Sequence, residues 1–161
     1  MKIILILLCI VCTLSGCATL DYETIGDDLL QIPEKTPCEM AVTLPKDAVQ
    51  ISYHETGKFY CCDGYEMTME ILPAGDISQT LKDLTGYSQD CLTVLETGTA
   101  ELYRYECTWV TAGEGSDQVG RTVILDDGNF HYCISLMSRA EDAGSLQETW
   151  QELLKSFALQ S

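Results

Sequence analysis

Positive charge is scarce in this chain. Nine Lys and Arg stand against 25 Asp and Glu, for a formal net charge of −16. A surface of that sign repels nucleic acid and anionic lipid headgroups, which argues against nucleic-acid partners and leaves charge unable to hold the protein at a membrane. Histidine is scarcer still: His54 and His131 are the only side chains whose ordinary pKa suits a general base near neutral pH. Reactive motifs are missing too, with no Gly-x-Ser-x-Gly, no phosphate-binding loop and no His-Glu-x-x-His. Beyond residue 17 no cysteine pair has the C-x-x-C spacing of a redox or zinc site. The apolar run over residues 3–14 falls short of the roughly 20 residues that a permanent membrane-spanning helix needs.

That short run follows Met1-Lys2 and ends in Leu14-Ser15-Gly16-Cys17. A cation, an apolar stretch, a small pair and then cysteine resemble a bacterial lipoprotein signal with its lipobox. The resemblance implies that residues 1–16 are a removed signal peptide. It also implies that Cys17 is the lipidated first residue of the mature protein and that the chain is held by this anchor on the extracytoplasmic face of the cell membrane. Acyl chains on both the sulfur and the new amino group satisfy the two-chain requirement for stable anchoring. Cleavage removes Lys2 and no carboxylate, so the mature chain is one unit more acidic. Cys9 and Cys12 leave with the signal.

Six cysteines remain once Cys17 is set aside: Cys38, Cys61, Cys62, Cys91, Cys107 and Cys133. In an exported chain an even number permits up to three disulfides, whose connectivity spacing alone does not choose. The other reading is that several are buried thiols acting as small apolar side chains. The adjacent Cys61-Cys62 pair invites a redox or soft-metal role, but neighbours on a strand point to opposite faces.

Residues 17–40 are acidic, carry Pro33 and Pro37, and show no sustained period, so they read as a tether. About 20 flexible residues reach on the order of 25 Å. A single domain is expected over residues 41–161, long enough to bury a core. Val49-Gln50-Ile51-Ser52-Tyr53 alternates as a strand, a second follows the Thr56-Gly57 turn, and Tyr65, Met67, Met69 and Ile71 place apolar groups at every second position. Asp76 caps a helix carrying Ile77, Leu81 and Leu84 at helical spacing, with Gln79 three residues after the cap and Gly86 as its stop.

The second half reads as a meander. Tyr103, Tyr105, Cys107 and Trp109 share one face of a long strand while Arg104, Glu106 and Thr108 share the other. Asp126-Asp127-Gly128-Asn129 marks a hairpin, and Phe130, Tyr132, Ile134 and Leu136 line one face of the return strand. Ser145-Leu146-Gln147-Glu148 has capping-box form ahead of a closing helix, whose stripe is Leu146, Trp150, Leu153, Leu154 and Phe157. The fold class is therefore α+β: an antiparallel sheet with a mid-chain and a C-terminal helix packed on it. The start at Leu44-Pro45-Lys46-Asp47-Ala48, the order of elements, and the ending Leu154-Lys155-Ser156-Phe157-Ala158-Leu159 resemble the PsbP-like α-β-α sandwich. That layout is shared with the Mog family of Ran-binding proteins and with many bacterial lipoproteins. The likeness implies a binding or assembly protein rather than an enzyme, and it carries over no site residue.

Two classes of function follow. The first is a non-catalytic extracytoplasmic module that binds an envelope protein or a small ligand through the aromatic side of the meander or the acidic hairpin tips. The second is a thiol-dependent enzyme or redox protein that uses Cys61 and Cys62, or His131 and Cys133, which share a strand face at i, i+2. Glu114 with Asp117, and Asp126 with Asp127 and Asn129, offer oxygen ligands near glycines, but neither group matches a calcium loop and both suit tight turns. No cofactor or metal is expected.

Overall fold

The computed structural model describes residues 35–54 and 56–160. The lipobox, Cys17 and the signal peptide lie outside them. Nine strands are described: β1 (Glu39–Ala41), β2 (Val49–His54), β3 (Gly57–Cys62), β4 (Tyr65–Pro73), β5 (Val94–Thr99), β6 (Leu102–Thr111), β7 (Gln118–Asp126), β8 (Phe130–Arg139) and β9 (Ala158–Gln160). Two α-helices accompany them, α1 (Ile77–Thr85) and α2 (Ala143–Ser156), with a short 3-10 turn at Gln89–Cys91. Seven strands form an antiparallel sheet in the order β2-β3-β4-β8-β7-β6-β5, and β1 pairs separately with β9.

Strand alternation sorts the sheet into two faces. On one, Met67 of β4, Val123 of β7, and Tyr132, Ile134 and Leu136 of β8 meet Trp150, Leu153, Leu154 and Phe157 from α2 and its C-terminal end. On the other, Cys107, Trp109, Ile124 and Cys133 meet Leu81 of α1. One helix on each face gives the α+β sandwich that the element order implies.

The first helix follows its sequence signals. The Asp76 side chain accepts from Ser78 N at 2.9 Å, and Gly86 adopts φ 79°, a left-handed turn that glycine takes without a Cβ clash. Gln79 donates instead to Asp83 at 2.6 Å, so it does not close a capping box. The N-cap of the second helix falls three residues ahead of the expected Ser145: Asp142 takes that position, without a side-chain capping bond, and Ser145 lies inside the first turn. Ser145 Oγ donates back to the Asp142 carbonyl at 2.8 Å, so its hydroxyl is unavailable as a cap.

Two features differ from the sequence reading at the N-terminal side. Ordered structure begins within the segment expected as tether: Lys35 Nζ donates to Asn129 Oδ1 at 2.8 Å, Cys38 N donates to Tyr132 Oη at 2.9 Å, and β1 pairs with β9. Cys38, Met40 and Leu159 thereby pack against the α2-side core. The alternating segment Val49 to Tyr53 does not bury an apolar stripe. It is the outermost strand, its register shifts between Gln50 and Ser52, and every residue of β2 is exposed. The bulge leaves Ile51 without a register partner on β3.

At the other end of the sheet, close packing constrains Gly120. It lies opposite Trp109 in the β6–β7 register, and a Cβ there would overlap the benzo ring of the Trp109 indole. The glycine lets the ring lie flat on the strand, where Trp109 Nε1 donates to Thr122 Oγ1 at 3.1 Å.

Candidate functional site

The His131 and Cys133 pair is placed by β8, beneath α1. The two do share a face, but both are sealed from solvent, at 0% and 1% exposure. His131 Nδ1 lies 2.8 Å from Thr80 Oγ1 of α1, and its Nε2 lies 3.6 Å from Asp126 Oδ2, beyond hydrogen-bond length. Threonine, histidine and aspartate thus stand in the order of a hydrolytic triad. The hydroxyl nevertheless points into the helix–sheet interface, where no substrate reaches it. Burial, with the Glu70 charge adding to it, pushes the Cys133 thiol up to about 12, so no thiolate is available near neutral pH. This constellation fastens α1 to the sheet.

The other thiols divide by exposure. All six described cysteines are free. As strand geometry requires, Cys61 faces solvent while its neighbour Cys62 is buried. Burial raises the Cys62 thiol, and it raises Cys107 to about 11 despite a lowering backbone hydrogen bond from Thr122.

The acidic hairpin tip between β7 and β8 spends its oxygens on its own backbone. Asp126 Oδ1 accepts from Gly128 N at 2.7 Å, and Asp127 Oδ1 accepts from Asn129 N and Phe130 N, each at 2.8 Å. Asp127 Oδ2 accepts from the Tyr132 hydroxyl at 3.0 Å. Partial burial works to raise the Asp127 pKa, but these donors and the Lys35 charge outweigh it and hold the carboxyl below its ordinary value. The tip is a self-satisfied turn. No group of three His, Cys, Asp or Glu poised for a metal occurs among the described residues. On the aromatic side of the meander, Tyr103 and Tyr105 have ring centroids 6.3 Å apart, with Tyr103 exposed and Tyr105 half-buried.

Two surfaces remain that sequence reasoning did not single out. One is the edge strand β2, with Val49, Ile51 and Tyr53 exposed at 60%, 58% and 64%. Beside it a groove of about 370 Å³ runs between the segment 37–40 and the β2–β4 ribbon, lined by Met40, Tyr53, Lys58, Met69 and Ile71. Its sequence signal was the apolar alternation itself, which marks a strand but not whether a layer covers it.

The second surface is a groove of about 420 Å³ at the far end of the sheet, where Arg104, Glu106 and Arg121 meet Gln151, Leu154 and Lys155 of α2. Arg104 Nε donates to Glu106 Oε1 at 2.5 Å, and its Nη2 donates to the Leu154 carbonyl at 2.9 Å, satisfying the end of α2. The side chains of Arg121 and Lys155 form no hydrogen bond or ion pair among the described residues. The expected grouping of Arg104 with Glu106 on one strand face was legible. Convergence with Arg121 and Lys155 depends on tertiary packing.

The architecture defines the class: an α+β sandwich in which a large antiparallel meander carries a helix on each face. No protein-family model matches the chain, and no curated protein matches it. Among solved structures it is similar to the Ran-binding protein Mog1p of Saccharomyces cerevisiae, at 11% identity over 74% of this chain and 89% of that one, with a TM-score of 0.51. It is also similar to cyanobacterial PsbP (CyanoP) from Synechocystis, at 6% identity over 84% and 99%, with a TM-score of 0.55. LpqN, involved in cell envelope biogenesis of Mycobacterium tuberculosis, matches at 10% identity over 80% and 88%, with a TM-score of 0.50. A Bacteroides thetaiotaomicron structure is similar with a TM-score of 0.53 at 14% identity over 76% of this chain, which spans 45% of its length. At such identities these likenesses establish the fold alone.

Proposed function

We propose that this chain is a lipoprotein anchored through Cys17 at the extracytoplasmic face of the cell membrane, and that its domain is a non-catalytic binding module for an envelope protein or small ligand. The observation that carries the binding role is the edge strand β2. An outermost strand leaves a row of backbone donors and acceptors unpaired, and exported proteins ordinarily blunt such an edge with charge or proline. This one presents Val49, Ile51 and Tyr53 to solvent beside an open groove. A partner that adds an extended segment there gains main-chain hydrogen bonds and apolar contact together.

Further support comes from the burial of His131 and Cys133, which puts that pair of the thiol-dependent alternative out of a substrate's reach. The folds of Mog1p, PsbP and LpqN, one described as Ran-binding and one as involved in cell envelope biogenesis, are in keeping with a binding role. The anchor rests on Leu14-Ser15-Gly16-Cys17.

Crosslinking in intact cells tests the reading. Wild-type protein is expected in the membrane fraction with a saturable envelope partner, and Cys17→Ser is expected to lose the membrane association. Membrane retention of the Cys17→Ser protein contradicts the anchor, and the absence of any saturable adduct contradicts the binding role.

A further inference from the structure

We infer that the groove between α2 and the β6–β7 strands is a binding site for a small organic carboxylate with a short apolar body. The site lies at the opposite end of the sheet from β2, so it stands independently of the edge-strand reading. Three of the nine basic residues of a chain with net charge −16 converge here. One of them, Arg104, is already committed to Glu106 and to the carbonyl end of α2. Two charges remain uncompensated among the described residues: Arg121, half-buried at the centre of β7, and Lys155, exposed on the last turn of α2.

Half-burying a guanidinium without an anion forfeits hydration and gains nothing in return, so an unpartnered arginine in a concavity marks a place for an acceptor. Its planar fork matches a carboxylate with two parallel N–H···O bonds, and Lys155 adds a flexible point charge. The rest of the lining sets the body of the ligand. Along the same face Glu106 is flanked across the strands by Leu95 and Val123, and Leu154 closes the floor, in an adjoining hollow of about 480 Å³. Both volumes fall within the range of small-molecule pockets, roughly 300–1,000 Å³. The net charge of −16 opposes every anion at long range and polyanions most strongly, which favours a monoanion over a polyanion at this groove.

Benzoate, with benzamide as its uncharged isostere, is the probe. In amide-resolved NMR titrations of the domain, benzoate is expected to shift Glu106, Arg121 and Leu154 saturably while benzamide leaves them in place. Arg121→Gln is expected to weaken benzoate about tenfold or more, the range for losing a charge-assisted pair. Lys155→Gln, at an exposed helix position that folding does not depend on, is expected to weaken it about threefold. If Arg121→Gln perturbs the fold, Lys155→Gln decides alone. Equal shifts with benzamide, full affinity in Lys155→Gln, or full affinity in a folded Arg121→Gln each overturn the site. Preference for an acidic peptide over benzoate overturns the ligand class. None of these outcomes bears on capture of a partner by β2.

Discussion

The face of the sheet beneath α2 and the face beneath α1 are built from the same strands yet are held in different ways. Beneath α2, Tyr132, Ile134 and Leu136 of β8 meet an apolar stripe in one continuous hydrophobic cluster. Beneath α1, the alternate β8 residues His131, Cys133 and Ser135 meet a smaller cluster stitched by polar contacts: Thr80 with His131, Trp109 with Thr122, and Thr122 with Ser135. Helix length explains the contrast. At 1.5 Å per residue the 14 residues of α2 extend about 21 Å and the nine of α1 about 13 Å, against a seven-stranded sheet about 29 Å across. A short helix cannot cover an apolar sheet face, so that face carries hydroxyls and an imidazole that bond one another where covered and tolerate water where open. Residues that read as chemistry in the sequence are, on this face, fasteners.

The sharpest way to break the contrast is on the apolar side. Trp150 is fully buried and meets Tyr65 edge-to-face with centroids 5.9 Å apart. Trp150→Ala is expected to cost about 4 kcal/mol in denaturant titrations. On the polar side, His131→Ala removes a fully buried ring and leaves the Thr80 hydroxyl without its partner. A loss of about 2 kcal/mol is expected there, with less protection from hydrogen exchange in α1 than in α2. Equal loss of protection in both helices would dissolve the distinction between the two faces.

A smaller effect belongs to the hairpin that joins β7 to β8. Asp127→Ala removes an acceptor for two backbone N–H groups and the Tyr132 hydroxyl. It is expected to cost about 1–2 kcal/mol near neutral pH. The folded-state carboxyl titrates below its unfolded value. Its contribution is therefore complete above the unfolded pKa and is lost as pH falls through the folded one. The gap between wild type and Asp127→Ala should close on acidification; a gap that widens contradicts the assignment.

Much of this architecture was legible because it rests on local signals. The Asp76 cap, the Gly86 stop and the β8 stripe each involve residues whose meaning is set by near neighbours in sequence. What was not legible depends on distant partners. Three-residue strands such as β1 and β9 have no period to detect, and their pairing joins residues 39–41 to residues 158–160. Alternation told which face of β8 His131 occupies but not that α1 covers it. At β2 alternation gave the strand, but not that its edge position leaves both faces exposed. Neither candidate surface could be read directly: one depends on what fails to cover a strand, the other on bringing Arg121 of β7 to Lys155 of α2.

The smallest expected effect on stability is also the most informative for function. Val49→Lys with Tyr53→Lys alters two exposed side chains at the sheet edge and should change stability by no more than about 0.5 kcal/mol. The most direct test of the account is to compare saturable partner capture in intact cells for wild type, this edge variant and His131→Ala, each at matched folded levels. The account predicts capture by wild type and His131→Ala and its loss in the folded edge variant. Undiminished capture by the edge variant, or loss confined to His131→Ala, would contradict the account.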